Sequence, residues 1–203
     1  MNILHIDSSI LGANSVSRQL SADVVARIAA TAPGATITHR DLGETPVPHL
    51  SGRAFMAAQN PDGAHEPAVR DDLATGGEVL REFLAADTVV IGVAFYNFSV
   101  SSQLKAWIDR ILVAGQTFRY GANGPEGLAG DKRVILAVAR GGLYGEGAPA
   151  AAFEHGETYL RTVLGFIGIG NPEVVIAEGL AIGPEQRVAA ISGAQQQIAA
   201  LAA

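Results

Sequence analysis

The sequence predicts an α/β fold: a three-layer sandwich around a five-stranded parallel sheet in the order 2-1-3-4-5. Five short apolar runs each precede a segment with helical periodicity. The run at 87–95 is almost continuously apolar, as a central parallel strand covered on both faces should be. The segments after the strands are rich in Ser, Asn and Gly, and open α/β sheets bind their ligands at those carboxyl ends.

Taken in order, Ile3, Leu4 and Ile6 form the first strand, and Asp7 ends it. Residues 8–18 are a hydroxyl-rich loop, after which Leu20, Val24 and Ile28 recur at helical spacing. A helix N-terminus offers unpaired N–H groups and the positive end of the dipole, so Ser15 and Ser17 suit a phosphate. The plainer alternative is that Asn14 or Ser15 is an N-cap and the other serines fill the loop. Residues 35–42 read as the second strand, after the Pro33-Gly34 turn. From 43 to 67 the chain is irregular, with Pro46, Pro48, Pro61 and Pro67 and a short helix near 51–59. Val69, Leu73, Val79, Leu80, Phe83 and Leu84 mark a helix that Gly76-Gly77 is expected to bend or weaken.

After the third strand, Ser101 or Ser102 caps a helix carrying Leu104, Trp107, Ile108, Ile111 and Leu112. Trp107 reads as core, and Asp109-Arg110 as a solvated or interface face. Residues 118–130 read as a Gly-rich loop, 132–139 as the fourth strand and 149–164 as a helix. The last strand covers 173–178. Gly183-Pro184 opens a final helix expected to bury Val188, Ile191, Ile198 and Leu201.

Composition narrows the function. The 203 residues, 48% hydrophobic and 17% charged, fit one globular domain, 1–203. A net charge of −6 without any Lys/Arg-rich block argues against nucleic-acid and polybasic membrane binding. The absence of cysteine excludes disulfides, thiolate metal sites and a cysteine nucleophile. Neither a signal peptide nor a bilayer-spanning run is read, so a cytoplasmic protein is expected. No dinucleotide fingerprint, P-loop or nucleophile elbow occurs. His5, His39, His49, His65 and His155 lack metal-ligand spacing, so no metal is expected and each reads as a surface or capping residue.

The predicted topology brings three loops to the switch point between strands 1 and 3: 8–17, 95–99 and 139–142. The first has donors for a phosphate, the second has aromatic rings beside an amide, and the third has paired glycines that admit a flat ligand. Singly, Phe95 also reads as core, Phe98 as a shield and Gly141-Gly142 as a turn. Each composition is useful for a flavin, and together the loops favour a mononucleotide site.

Six segments carry a family resemblance: Phe95-Tyr96-Asn97-Phe98, Ser102-Gln103-Leu104-Lys105, Thr117-Phe118-Arg119-Tyr120, Asn123-Gly124-Pro125-Glu126-Gly127, Arg140-Gly141-Gly142 and Leu164-Gly165-Phe166-Ile167-Gly168. Across essentially the whole chain the sequence resembles the FMN-dependent NADH azoreductases, members of the flavodoxin-like quinone reductases. The resemblance implies a flavodoxin-like fold and a homodimer with FMN sites near the interface. It further implies NAD(P)H as donor, with quinones and azo compounds as acceptors, and a ping-pong two-electron transfer is the mechanism expected. Matched by position, Ser9, Ser15, Val16 and Ser17 correspond to phosphate and ribityl contacts. Phe95, Tyr96, Asn97 and Phe98 correspond to the ring loop, and Ala139, Arg140, Gly141 and Gly142 to the third segment. Phe95 stands where the family usually has methionine, and Ala139 where it usually has serine. Phe98, Phe118 and Tyr120 are expected to wall in the acceptor, with a second copy able to share in that wall; core packing is the even alternative for Phe118. The absence of a basic cluster for a 2′-phosphate favours NADH. Three alternatives stay open: an electron carrier, an FMN-binding regulator, and a quinone reductase with incidental azo activity.

Overall fold

The computed structural model describes residues 1–60 and 63–202; Pro61 of the irregular stretch lies outside the described residues. The chain runs β1 (Asn2–Asp7), α1 (Val16–Ala29), β2 (Thr36–Asp41), α2 (Gly52–Ala57), α3 (Pro67–Ala85), β3 (Thr88–Tyr96), β4 (Ser99–Val100), α4 (Ser102–Ile111), β5 (Phe118–Gly121), β6 (Gly124–Gly127), β7 (Arg133–Ala139), α5 (Glu157–Phe166), β8 (Glu173–Ala177) and α6 (Pro184–Ala200). Five parallel strands pair in the order β2-β1-β3-β7-β8, which is the expected 2-1-3-4-5 arrangement.

Strand alternation divides the core into two layers. Leu4, Ile6, Val89, Ile91 and Val93 face α3, α4 and α5, with Phe83 and Trp107 meeting edge to face at 6.0 Å. Ile3, Val90, Ile135 and Ala137 face the other way, onto α1 and α6. Because the five strands are parallel, they end at one edge of the sheet, and α1 and α6 are the next α-helices after β1 and β8.

Several details depart from the sequence reading. Residues 118–127 form the antiparallel hairpin β5–β6, off the main sheet, rather than a loop. β4 folds back antiparallel on the end of β3, pairing Phe95 with Val100 and Tyr96 with Ser99. Helix α3 runs through Gly76-Gly77. The Gly76 face lies against Arg110, whose Nη1 would stand in ordinary contact, 3.4 Å, from a Cβ there. Arg110 is accordingly buried rather than solvated, donating to Asp72 Oδ1 at 2.5 Å and to the Pro48 carbonyl at 2.8 Å. Asp109 pairs instead with Lys105.

Helix α5 starts at Glu157, not near 149, because the Glu154 carboxylate accepts the N–H groups of Gly156, Glu157 and Thr158 there. In α6, Ile198 is buried and Ile191 and Leu201 are partly buried as expected, whereas Val188 is 69% exposed, in first turns that are exposed throughout. As expected, Ser101 caps α4, and Ser51 caps α2 within 51–59. Among the described residues no helix is long and apolar enough to cross a membrane.

Candidate functional site

The loop after β1 is fixed by its own hydroxyls. Ser8 Oγ donates to the Gly92 carbonyl at 2.6 Å, fastening the loop to β3. Ser9 Oγ accepts from the Leu11 N–H at 3.2 Å and lies 2.9 Å from the Tyr96 hydroxyl. Ser15 is the N-cap of α1, accepting from Arg18 N–H, and its Oγ is 3.0 Å from Ser17 Oγ. Gly92 is what lets this helix approach: a Cβ there would come within 2.8 Å of Asp7 Oδ1 and 3.2 Å of the Ser17 carbonyl. Arg18 secures the loop from behind. Its guanidinium donates to the Ser9 carbonyl at 2.8 Å and makes a two-point pair with Asp41, which holds the Asp41 carboxyl below its usual range.

Nine of the residues singled out in the sequence meet around one cavity of about 260 Å³: Ser9, Ser15, Val16 and Ser17 from the first loop, Phe95 and Tyr96 from the second, and Ala139, Arg140 and Gly141 from the third. Ser15 is thus the N-cap that the sequence allowed, and it also lines the cavity. Phe95, Tyr96 and Asn97 continue into an open cleft of about 830 Å³, which Lys105 and Tyr159 also border. Phe98 and Gly142 flank these spaces without lining them.

The second loop is strained. Asn97 has φ +47° and Phe98 φ +71°, a region that a bulky side chain rarely adopts. Tertiary contacts hold it: His155 N–H donates to the Phe98 carbonyl at 3.0 Å, and the Phe98 ring packs on Phe153 at 5.3 Å and on Tyr144 at 6.4 Å. Strain of this kind persists where a site over-determines it.

Arg140 contributes mainly backbone to the cavity. Its side chain is 2% exposed and lies among Glu157 at 2.8 Å, Glu154 at 3.3 Å and Glu178 at 3.6 Å. Glu178 in turn accepts the N–H groups of Tyr144 and Gly145. Phe95 fits here because it packs against Tyr144 at 4.7 Å and because position 156 is glycine, where a Cβ would come within 2.9 Å of its ring.

The two other aromatic candidates stand apart. Phe118 packs on Phe166 at 4.7 Å and meets Tyr120 edge to face at 5.6 Å, while Tyr120 is 75% exposed. Neither lines the two cavities of its own chain.

Spacing also hid a polar cluster. The register of β1 and β2 sets His5 opposite His39, and both reach Asp7. His39 Nε2 is 3.0 Å from Asp7 Oδ2, and Ser21 Oγ donates to Asp7 Oδ1 at 2.8 Å and lies 2.9 Å from His5 Nε2. Burial pushes the Asp7 carboxyl up, but the contacts with His5, Ser21 and His39 outweigh it and bring it below the usual range. Asp7 therefore does more than end a strand, and His5 is buried rather than a surface or capping residue. Among the described residues, His5, Asp7 and His39 are the group whose ligand atoms lie close enough together to hold a metal ion. They satisfy one another by hydrogen bonds, with Arg18 already 3.8 Å from Asp7.

Sequence reasoning passed over Leu180, Ala181 and Arg187, which close the 260 Å³ cavity from the far side. The signal available was topological: the segment after the last strand must arrive at the same sheet edge as the loop after the first.

Comparisons with known proteins agree with this fold. The Flavodoxin_2 family, described as having the flavodoxin-like fold, matches residues 1–202. A protein of Xanthomonas campestris pv. campestris named FMN-dependent NADH:quinone oxidoreductase is 63% identical over 202 residues, covering 99% of each chain. One of the same name from Methylorubrum extorquens is 61% identical over 203 residues, covering 100% of each. The crystal structure of an azoreductase from Bacillus anthracis superimposes with a TM-score of 0.87 at 30% identity, over 98% of this chain and 97% of that one. With its parallel sheet, its serine-lined cavity and these full-length matches, the chain belongs to the flavodoxin-like fold family, alongside relatives named FMN-dependent NADH:quinone oxidoreductase.

Proposed function

We propose that the protein is an FMN-dependent NADH oxidoreductase that reduces quinones and azo compounds, with residues 1–203 acting as one flavin-binding domain. The observation that carries this is the hydroxyl-lined cavity at the N-terminus of α1, continuous with the cleft beside the strained Asn97–Phe98 turn. Its donor set fits FMN. The first-turn N–H groups of Val16 and Ser17 have no intrahelical acceptor, and with the hydroxyls of Ser9, Ser15 and Ser17 they would hold the phosphate. Phe95, Tyr96, Asn97 and Phe98, with the backbone of Ala139, Arg140, Gly141 and Gly142, would border the ring. When bound, FMN supplies the two-electron chemistry that connects NADH to the acceptor. The chain's residues hold and orient; none is required as a nucleophile. Ala139 offers only its methyl and backbone to the cavity, so ring contacts there are main-chain ones.

Replacing Ser15 and Ser17 together with alanine is expected to weaken FMN binding by about tenfold or more, since each hydroxyl would donate to a charged oxygen. Equilibrium titration of flavin fluorescence reads this, and unchanged affinity would remove the loop from the phosphate site.

We also propose a homodimer acting in the cytoplasm. Ile10, Phe98 and Phe153 expose apolar surface near the cleft, and Tyr120 is exposed on the hairpin that also carries the half-buried Phe118. Sedimentation at micromolar concentration is expected to give twice the chain mass; a monomer would confine the acceptor wall to Phe98. The absence of cysteine accords with a reducing compartment.

The deciding experiment is the visible spectrum of the purified protein before and after anaerobic NADH. Flavin bands should bleach with NADH and return on adding a quinone or an azo dye. Bands indifferent to NADH would point to a carrier reduced by a partner protein, and a colourless protein that ignores added FMN would overturn the cofactor.

A further inference from the structure

We propose that Arg187, on the first turns of α6, is the cation that neutralises the phosphate in the 260 Å³ cavity, and so makes this site select FMN over riboflavin. The proposal rests on the FMN reading of that cavity. Two arginines line it, Arg140 and Arg187. Arg140 is committed elsewhere, buried among Glu154, Glu157 and Glu178. Arg18, the nearest other guanidinium in sequence, is held by Asp41 and the Ser9 carbonyl behind the loop. Arg187 is exposed, and among the described residues its side chain makes no ion pair or hydrogen bond.

The fold explains its position. Helices α1 and α6 pack side by side on the same sheet face, through Val16, Leu20 and Val24 on one and Ala194 and Ile198 on the other. Each follows a parallel strand, so both begin at the carboxyl edge of the sheet. The first turns of α6 thus stand across the cavity from Ser15 and Ser17. Electrostatics gives the arginine work to do. The serine hydroxyls carry no charge, and a helix N-terminus offers only about half a positive charge. The chain as a whole carries −6. A phosphate dianion entering such a protein gains affinity from a nearby cation, and a guanidinium pairs with it through two parallel N–H bonds.

The full-length chain, freed of flavin, is titrated with FMN and with riboflavin. Arg187→Ala is expected to lower FMN affinity about tenfold while leaving riboflavin within about twofold. The salt dependence of FMN binding should also become shallower. Arg187→Lys should recover part of the loss, because it keeps the charge without the fork. Unchanged FMN affinity in Arg187→Ala, with Ser15 and Ser17 still required, would overturn the assignment and leave the FMN site standing. Equal weakening of both flavins would also overturn it, by showing that the residue supports α6 rather than the phosphate. If the wild-type chain binds neither flavin, the cofactor reading falls and the proposal with it.

Discussion

Arg140→Ala is expected to destabilise the protein by about 3–5 kcal/mol, because it leaves three carboxylates without their common cation in a buried setting. Each carboxylate organises a different piece of chain. Glu154 caps α5, Glu157 opens that helix and bonds Arg161, and Glu178 holds the N–H groups of Tyr144 and Gly145. Tyr144 in turn supports Phe95 and Phe98. For a chain of this size the melting temperature should fall by roughly 10 °C at fixed FMN concentration. A fall of less than about 2 °C would show that the four charges do not act as a unit. Arg140→Lys should recover little, since a point charge on a flexible stem cannot serve three carboxylates at once.

The same cluster sets an acid limit. Burial pushes the Glu154 carboxyl up, but the N–H groups of Glu157 and Thr158, the Arg140 charge and the Gly156 N–H outweigh it and hold the carboxyl below the usual range. A carboxyl depressed on folding contributes stability that is present above the unfolded-state value, about 4.3. That contribution is lost as pH falls through the lower folded value. Without Arg140 the folded value rises, so the acid unfolding limb should move to higher pH in the alanine variant.

Local composition explains why the sheet was legible in the sequence. β3 announces itself because a strand buried on both faces must be apolar at every position, and 88–94 are all buried. The alternation of strand and helix then leaves few topologies, and the serine loop after β1 has one place to go. What stayed hidden depends on partners distant in sequence. Arg140 reads as part of a glycine turn until Glu154, Glu157 and Glu178 are brought to it. Asp7, His5 and His39 become neighbours only through the register of β1 on β2. Arg110 looks like a surface residue in a helical stripe, and only the packing of α3 on α4 supplies Asp72. The hairpin β5–β6 escaped notice for another reason. Its strands are four residues each, largely exposed, and one reads Gly-Pro-Glu-Gly, without the alternation that marks a half-buried strand.

That hairpin is the place for the second large effect. Gly127→Ala is expected to destabilise the protein by about 3 kcal/mol or more, at the upper end of overpacking substitutions. A Cβ at this position would fall 2.1 Å from the Gly168 backbone nitrogen and 2.2 Å from the Ile167 carbonyl carbon. Both are main-chain atoms, so no rotamer change relieves the clash. Gly168 itself sits at φ +101° and closes against Gly127 and Gly130, and the Ala129 N–H donates to the Ile167 carbonyl at 2.8 Å. The only relief is to lift the end of β6 from the turn after α5, which breaks that bond and draws Phe118 away from Phe166. The melting temperature should fall by roughly 6–12 °C. Because the hairpin lines neither cavity of its own chain, FMN affinity should stay within about twofold of wild type while the KM for a quinone rises through the displaced Phe118 and Tyr120. A variant as stable as wild type would show that the two backbones are not in contact. Lost stability with an unchanged KM would keep the close packing but take the hairpin out of the acceptor wall.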